Sequence, residues 1–289
     1  MIRNLIIMMV LMLTFTNVNS QNNTLTPPLP QEHIYKIIGS DTLKLSVYHP
    51  EGKNKKYPTI VFFFGGGWNG GSITQFEDQA KYFTSRGMVS ILVDYRVKNK
   101  HKTTPFESVK DAKSAMRYIK LNAKELKVDT DKMVAAGGSA GGHLAAATTM
   151  LSGLDEEGED LSISTKANAL VLFNPVVDNG PEGYGYERIG ERYLEFSPMH
   201  NIKKGAPPTI FFLGDKDKLI PVATADAFKA KMEAVGSRCD VFIFDNQEHG
   251  FFNKGKQKND RCYIETVYEA DVFLESLGYI QGKPTIIKN

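Results

Sequence analysis

Apolar runs and helical stretches alternate along this chain from residue 43 to residue 277, and that alternation restricts the fold more than any other feature. Apolar, β-branched or aromatic runs lie at 43–48, 59–64, 88–94, 133–136, 169–173, 209–213 and 241–244. Several are continuous rather than alternating, which suits strands buried on both faces. Helical patterns at 76–86, 108–126, 222–235 and 260–277 separate them. The clearest is 108–126, where Val109, Ala112, Met116 and Ile119 recur at helical spacing and charges fill the other face. The 222–235 stretch follows Pro221, and 260–277 stops at Gly278, as helix ends should. Strand–helix alternation of this length predicts an α/β domain, a mostly parallel sheet covered by helices. No internal repeat is visible.

Composition narrows the class further. The chain is 42% hydrophobic and carries 35 basic against 33 acidic residues, for a formal charge of +2. That is too apolar and too balanced for a disordered chain. It also offers no electrostatic footprint for nucleic acid. Two cysteines cannot staple 289 residues, so a packed core must hold them. Cys239 is expected at a strand start and Cys262 at the start of the next helix, at opposite edges of a sheet. A five-residue strand spans ~17 Å and a disulfide needs Cα atoms within ~7 Å, so two buried free thiols are expected.

The N-terminus reads as a signal peptide over residues 1–20. Arg3 supplies a positive start, and 5–15 is a short, mostly apolar stretch. Val18 and Ser20 are the small residues at positions −3 and −1 of a cut before Gln21. A transmembrane helix would need ~20 apolar residues, so no stable membrane anchor is expected. An uncleaved anchor is the plain alternative. The expectation is export, periplasmic or secreted. A flexible leader over 21–32 contains Thr-Pro-Pro-Leu-Pro, and a single domain follows over 33–289.

Two stretches break the rhythm. Residues 155–160 hold five acids in six positions and read as a solvated loop, since they lack the spacing of a calcium loop. Residues 178–204 have no clear period and carry Tyr184, Tyr186 and Tyr193 among glycines. They read equally as a surface excursion or as a cap over a site.

The chemistry concentrates at three strand ends. Gly137-Gly138-Ser139-Ala140-Gly141 follows one apolar run and precedes a helical segment. This is G-x-S-x-G in the strand–turn–helix context of a nucleophile elbow. An ordinary glycine-rich turn is the plain alternative. A serine nucleophile needs a base, and in this fold the chain order should be Ser, acid, His. Of His143, His200 and His249, only His249 sits in a loop just past a strand. The acid should follow the preceding strand, where Asp215 and Asp217 both stand. Asp217 lies further into the loop and is favoured, with Asp215 as a local turn or cap residue. Oxyanion donors would be the Ala140 amide and the amides of Gly66 and Gly67 in Phe64-Gly65-Gly66-Gly67-Trp68. Trp68, Tyr184 and Tyr186 are candidate substrate contacts. The histidines show no H-E-x-x-H spacing and the cysteines no C-x-x-C, and the glycines lack the rest of a phosphate-binding loop, so no metal or cofactor is expected.

Taken together, these segments resemble the α/β-hydrolase superfamily, in its esterase and lipase branch with an HGGG-type oxyanion loop, which includes feruloyl- and acetyl-xylan-esterase-like carbohydrate esterases. The resemblance runs from about Tyr48 to Gly278 and includes Val93-Asp94-Tyr95-Arg96, Asn174-Pro175 and His249-Gly250-Phe251-Phe252. It implies an α/β-hydrolase fold with a mostly parallel eight-stranded sheet flanked by helices, and a small cap-like insertion. It also implies a serine esterase acting on acyl or aryl esters, on carbohydrates in polysaccharide breakdown, with a small-molecule or oligosaccharide substrate. Phe64 stands where the family usually has the histidine that helps fix the oxyanion loop. That departure raises one rival, elimination on an unsaturated or uronic oligosaccharide by the same residues; a non-catalytic binding protein is a separate alternative, against which the complete triad argues.

Overall fold

The computed structural model describes residues 29–288. The expected signal peptide and most of the leader lie outside the described residues. Eight strands form one sheet: β1 (Gln31–Ile38), β2 (Asp41–Tyr48), β3 (Tyr57–Phe63), β4 (Val89–Val93), β5 (Val128–Gly138), β6 (Ala169–Phe173), β7 (Thr209–Gly214) and β8 (Cys239–Phe244). Their order across the sheet is β1-β2-β4-β3-β5-β6-β7-β8. β1 and β2 are antiparallel to each other and β2 to β4, while every pair from β4 to β8 is parallel.

Eight helical segments of α type accompany the sheet: α1 (Glu77–Ser85), α2 (Lys98–His101), α3 (Pro105–Leu121), α4 (Ala140–Met150), α5 (Tyr186–Ile189), α6 (Tyr193–Phe196), α7 (Val222–Ala234) and α8 (Arg261–Ser276). The side-chain alternation of the central strands builds a core on each face. Val61 and Phe63 of β3 join Val109, Met116, Leu144 and Phe228 from α3, α4 and α7. Ile60 and Phe62 point the other way, to Phe83 of α1 and Phe273 of α8. This two-sided burial is why the strands read as unbroken apolar runs. β4, β6 and β7 are buried at every position.

Three differences from the sequence reading have physical causes. β1 was not expected, and its first residues, Gln31 and Glu32, belong to the segment read as leader. It is a half-exposed edge strand whose register with β2 shifts between Ile34 and Lys36, so it lacks both a continuous apolar run and a regular alternation. α3 begins at Pro105 rather than 108, because the Thr104 amide and hydroxyl both donate to Glu107 and proline takes the first helical position. The acidic stretch 155–160 is no free solvated loop. Asp155 pairs with Lys113 and Arg117, Glu156 with Lys36 and Arg96, and Glu159 with Arg117. It is clamped onto α3. Cys239 and Cys262 are buried and unbridged, and burial pushes the Cys239 thiol up to about 12.

Candidate active site

Ser139 stands between β5 and α4 with φ 54° and ψ −120°, a left-handed conformation that a side chain rarely adopts. Its neighbours must be small. A Cβ on Gly141 would lie 2.0 Å from the Phe63 carbonyl oxygen, and one on Gly137 would lie 2.4 Å from that of Gly141. Backbone bonds fix the strained residue. Its amide donates to the Phe173 carbonyl at 3.0 Å, and its carbonyl accepts from Val176 N–H at 3.1 Å. The side chain is thereby presented at the carboxyl edge of the sheet.

His249 and Asp217 reach the same point from the loops after β8 and β7. Ser139 Oγ donates to His249 Nε2 at 2.9 Å, and His249 Nδ1 donates to Asp217 Oδ2 at 2.7 Å. A carboxylate only accepts, so Asp217 selects the tautomer with the proton on Nδ1 and leaves Nε2 free to take a proton. Asp217 is itself held, because its Oδ1 accepts from the amides of Leu219 and Ile220 at 2.8 and 3.0 Å. Its side chain is fully buried. Asp215 does not reach the histidine.

The other two histidines are elsewhere. His200 bonds Ser197 in the insertion. His143 is fully buried on α4, where Nε2 donates to the Phe196 carbonyl at 2.9 Å and its ring stacks on Phe196. Burial pushes its pKa down to about 3, so it is neutral and structural.

Gly65, Gly66 and Gly67 line the same cleft as Ser139 and His249. Gly66 and Gly67 have φ of 127° and 62°, and their amides have no acceptor among the described residues. The Ala140 amide opens α4, where the first N–H groups have no partner within the helix. All three expected donors are therefore available to a developing negative charge at this end of the sheet.

Two expected substrate contacts are not at the cleft. Trp68 is 1% exposed and packs edge-on against His143 and Phe196, so it is a core residue of the loop base. Tyr186 does not line the cleft, and its hydroxyl donates to Glu191. Tyr184 does line it. The insertion thus lines the cleft through Tyr184 and anchors itself in the core through its own Phe196, which is fully buried.

The loop support left open by Phe64 is resolved. The Phe64 ring stacks on Tyr95 at 4.0 Å, and the Tyr95 hydroxyl donates to the Phe64 carbonyl at 2.7 Å. The neighbouring Gly65 amide donates to Gln75 Oε1 at 2.6 Å. Aromatic stacking and a half-buried glutamine therefore hold the loop.

Comparison with known proteins fits this geometry. The BD-FAE family model matches residues 45–182, and the dienelactone hydrolase family model matches 176–273. Esterase 2 of Thermogutta terrifontis, in a structure phosphoramylated by tabun, is 43% identical, with a TM-score of 0.85 over 89% of this chain and 97% of that one. This chain belongs to the α/β-hydrolase superfamily, among its esterases. The hydrolase also resembles Esterase LipC of Mycobacterium tuberculosis, at 25% identity over 68% of this chain and 54% of that protein. An acetylxylan esterase of Xylanibacter ruminicola is 26% identical, over 69% of this chain and 42% of that protein. The chain spans about half the length of the curated relatives it matches.

Four residues of the hydrolase's site escaped sequence reasoning. Asn174, fully buried at the end of β6, donates from Nδ2 to His249 Nε2 at 3.3 Å and accepts from Gly250 N–H at 2.9 Å. Its place directly after a strand was the signal that could have found it. Gln75 and Arg188 sit on one-turn helical segments and Asn253 in a turn, and none of them carries such a signal.

Proposed function

We propose that this hydrolase is an exported serine esterase that cleaves short acyl or aryl esters attached to carbohydrates. One observation carries the reading: Ser139, His249 and Asp217 form a hydrogen-bonded relay whose serine opens onto the Gly65–Gly67 loop. Ser139 attacks the ester carbonyl while His249 takes its proton. The amides of Gly66, Gly67 and Ala140 stabilise the oxyanion. His249 then returns the proton to the leaving alcohol, and water repeats the cycle on the acyl-enzyme. Asp217 orients the ring and stabilises the imidazolium.

The cleft supports the substrate class. It measures about 390 Å³ and mixes polar and apolar lining, with Asn69, Gln75, Asn174, Tyr184 and Lys256 among its polar side chains. Leu219 and Phe252 are its large apolar side chains. Such a lining suits a short acyl group on a hydroxylated alcohol better than a long lipid chain. Similarity to an acetylxylan esterase points the same way. The 1–20 segment supports export.

Purified protein should release 4-nitrophenol from its acetate and acetate from acetylated xylo-oligosaccharides. A Ser139→Ala variant should lose a factor of about 10⁴ or more. Full activity in that variant, or a product lighter by one water with no acid released, would overturn the reading.

A further inference from the structure

Three of the four peptide groups from Phe64 to Trp68 are pinned by hydrogen bonds, and one pin comes from the insertion. The Phe64 carbonyl accepts from Tyr95, and the Gly65 amide donates to Gln75. The Gly66 carbonyl accepts from the amides of Asn69 and Gly70 at 3.0 and 3.2 Å. The Gly67 carbonyl accepts from Arg188 Nη1 at 2.6 Å. Among the described residues this is the one hydrogen bond between the 178–204 insertion and the loop.

Arg188 is built into its place. Its guanidinium lies 5.1 Å from the Trp68 ring centre and 5.4 Å from that of Tyr184. These faces attract a cation and restrict the long side chain to one orientation. Nε is occupied by Glu187, which is itself well exposed to water. Nη1 remains for Gly67. The Tyr184 hydroxyl closes the other side, since a Cβ on Gly67 would lie 3.0 Å from it.

The loop needs such a pin. Gly66, Gly67 and Trp68 all have positive φ, and Trp68 does so without being glycine. A run of glycines in these conformations has low barriers to peptide rotation. Rotation of the Gly67–Trp68 peptide would strain the neighbouring Gly66–Gly67 unit, whose N–H is an expected oxyanion donor. A charged donor on the Gly67 carbonyl opposes that rotation.

We propose that Arg188 is a positioning residue for ester hydrolysis, supplied by the insertion to hold the oxyanion loop that Phe64 leaves without its usual histidine. It acts through Gly67 and does not touch the reacting atoms. The insertion is then part of the catalytic support as well as a wall of the cleft.

This inference rests on the esterase reading, which wild-type turnover of 4-nitrophenyl acetate tests separately. Arg188→Met should lower kcat by about 10- to 100-fold with KM within about threefold, a smaller loss than removing an oxyanion donor outright. Affinity for an alkyl trifluoromethyl ketone, which mimics the tetrahedral adduct, should fall by the same factor as kcat/KM. Affinity for product acetate should not change. Arg188→Lys keeps the charge but loses the planar fork, and should fall between the two. Millimolar guanidinium should restore part of the activity of Arg188→Ala. Unchanged kcat in a folded Arg188→Met would overturn the proposal, as would a kcat loss with full ketone affinity retained. Should Arg188→Met not fold, unchanged kcat in Arg188→Lys would overturn it equally.

Discussion

Gln75 and Asn253 are hydrogen-bonded at 3.1 Å between segments that are 178 residues apart in sequence. Gln75 holds the Gly65 amide with its other end, and Asn253 holds the Gly250 carbonyl at 2.8 Å. The bridge therefore joins the oxyanion loop to the loop that carries His249. The glycine loop and the His249 loop are thus positioned against each other by two side chains outside the Ser139–His249–Asp217 relay.

Breaking that bridge should cost rate more than binding. Gln75→Leu leaves the Gly65 N–H without its acceptor, a penalty of about 1–3 kcal/mol. We expect kcat with 4-nitrophenyl acetate to fall about tenfold, with KM changed less than threefold. A double-mutant cycle with Asn253→Ala should show coupling of about 0.5 kcal/mol or more. Strictly additive losses would show that the two loops are not linked through this pair.

Asp217 and Asp215 should separate cleanly. Asp217 bonds His249 and two backbone amides, whereas Asp215 approaches only Lys216, at 4.0 Å. Asp217→Asn should reduce kcat by about 10⁴, because the amide would present a donor to Nδ1 and favour the wrong tautomer. Asp215→Asn should stay within a few-fold of wild type. Steady-state kinetics of the two variants decides the assignment, and the reverse ranking would sink it.

Acid stability should carry the signature of His143. Its pKa lies near 6.5 in the unfolded chain and about 3 in the folded one, because burial disfavours the charged ring. Between those values the unfolded chain binds the extra proton. This stability contribution is complete above pH 6.5 and is lost as pH falls, at up to about 1.4 kcal/mol per unit. Urea unfolding at pH 7, 6 and 5 should show a steeper loss for wild type than for His143→Gln. Equal slopes would mean that His143 does not control this part of the curve.

The ion cluster beneath the sheet edge should matter for folding rather than for turnover. Asp111 is fully buried and accepts from Arg96 Nε and Nη2 at 2.7 and 2.8 Å and from Lys36 at 2.8 Å. Asp111→Asn leaves two buried cations short of a partner and should cost about 3–5 kcal/mol. Glu156→Gln, at the partly exposed end of the cluster, should cost less. Thermal melts should rank the two variants in that order, with kcat at 25 °C little changed in Glu156→Gln.

The fold was legible because its cause is local. A strand buried on both faces must be apolar at every position, and β4, β6 and β7 obey this. β1 was illegible for the converse reason, as an edge strand with one wet face and a shifted register. The acidic stretch was misread because its partners Lys36, Arg96, Lys113 and Arg117 lie far off in sequence. Trp68 was a candidate substrate contact from its place beside three glycines, yet it has a positive φ there and is buried in the core.

The sequence by itself determined the α/β class and the order of the strands along the chain. It also determined which loops carry Ser139, Asp217 and His249, since strand–turn–helix punctuation is written in consecutive residues. Only the tertiary structure decided how the oxyanion loop stands without its usual histidine. That answer depends on Tyr95 under Phe64, on Gln75 beneath Gly65 and on Arg188 above Gly67. Arg188 lies 121 residues from the carbonyl it holds. Backbone periodicity records what a residue's neighbours must be, whereas a hydrogen bond between distant segments exists only once the sheet has brought them together.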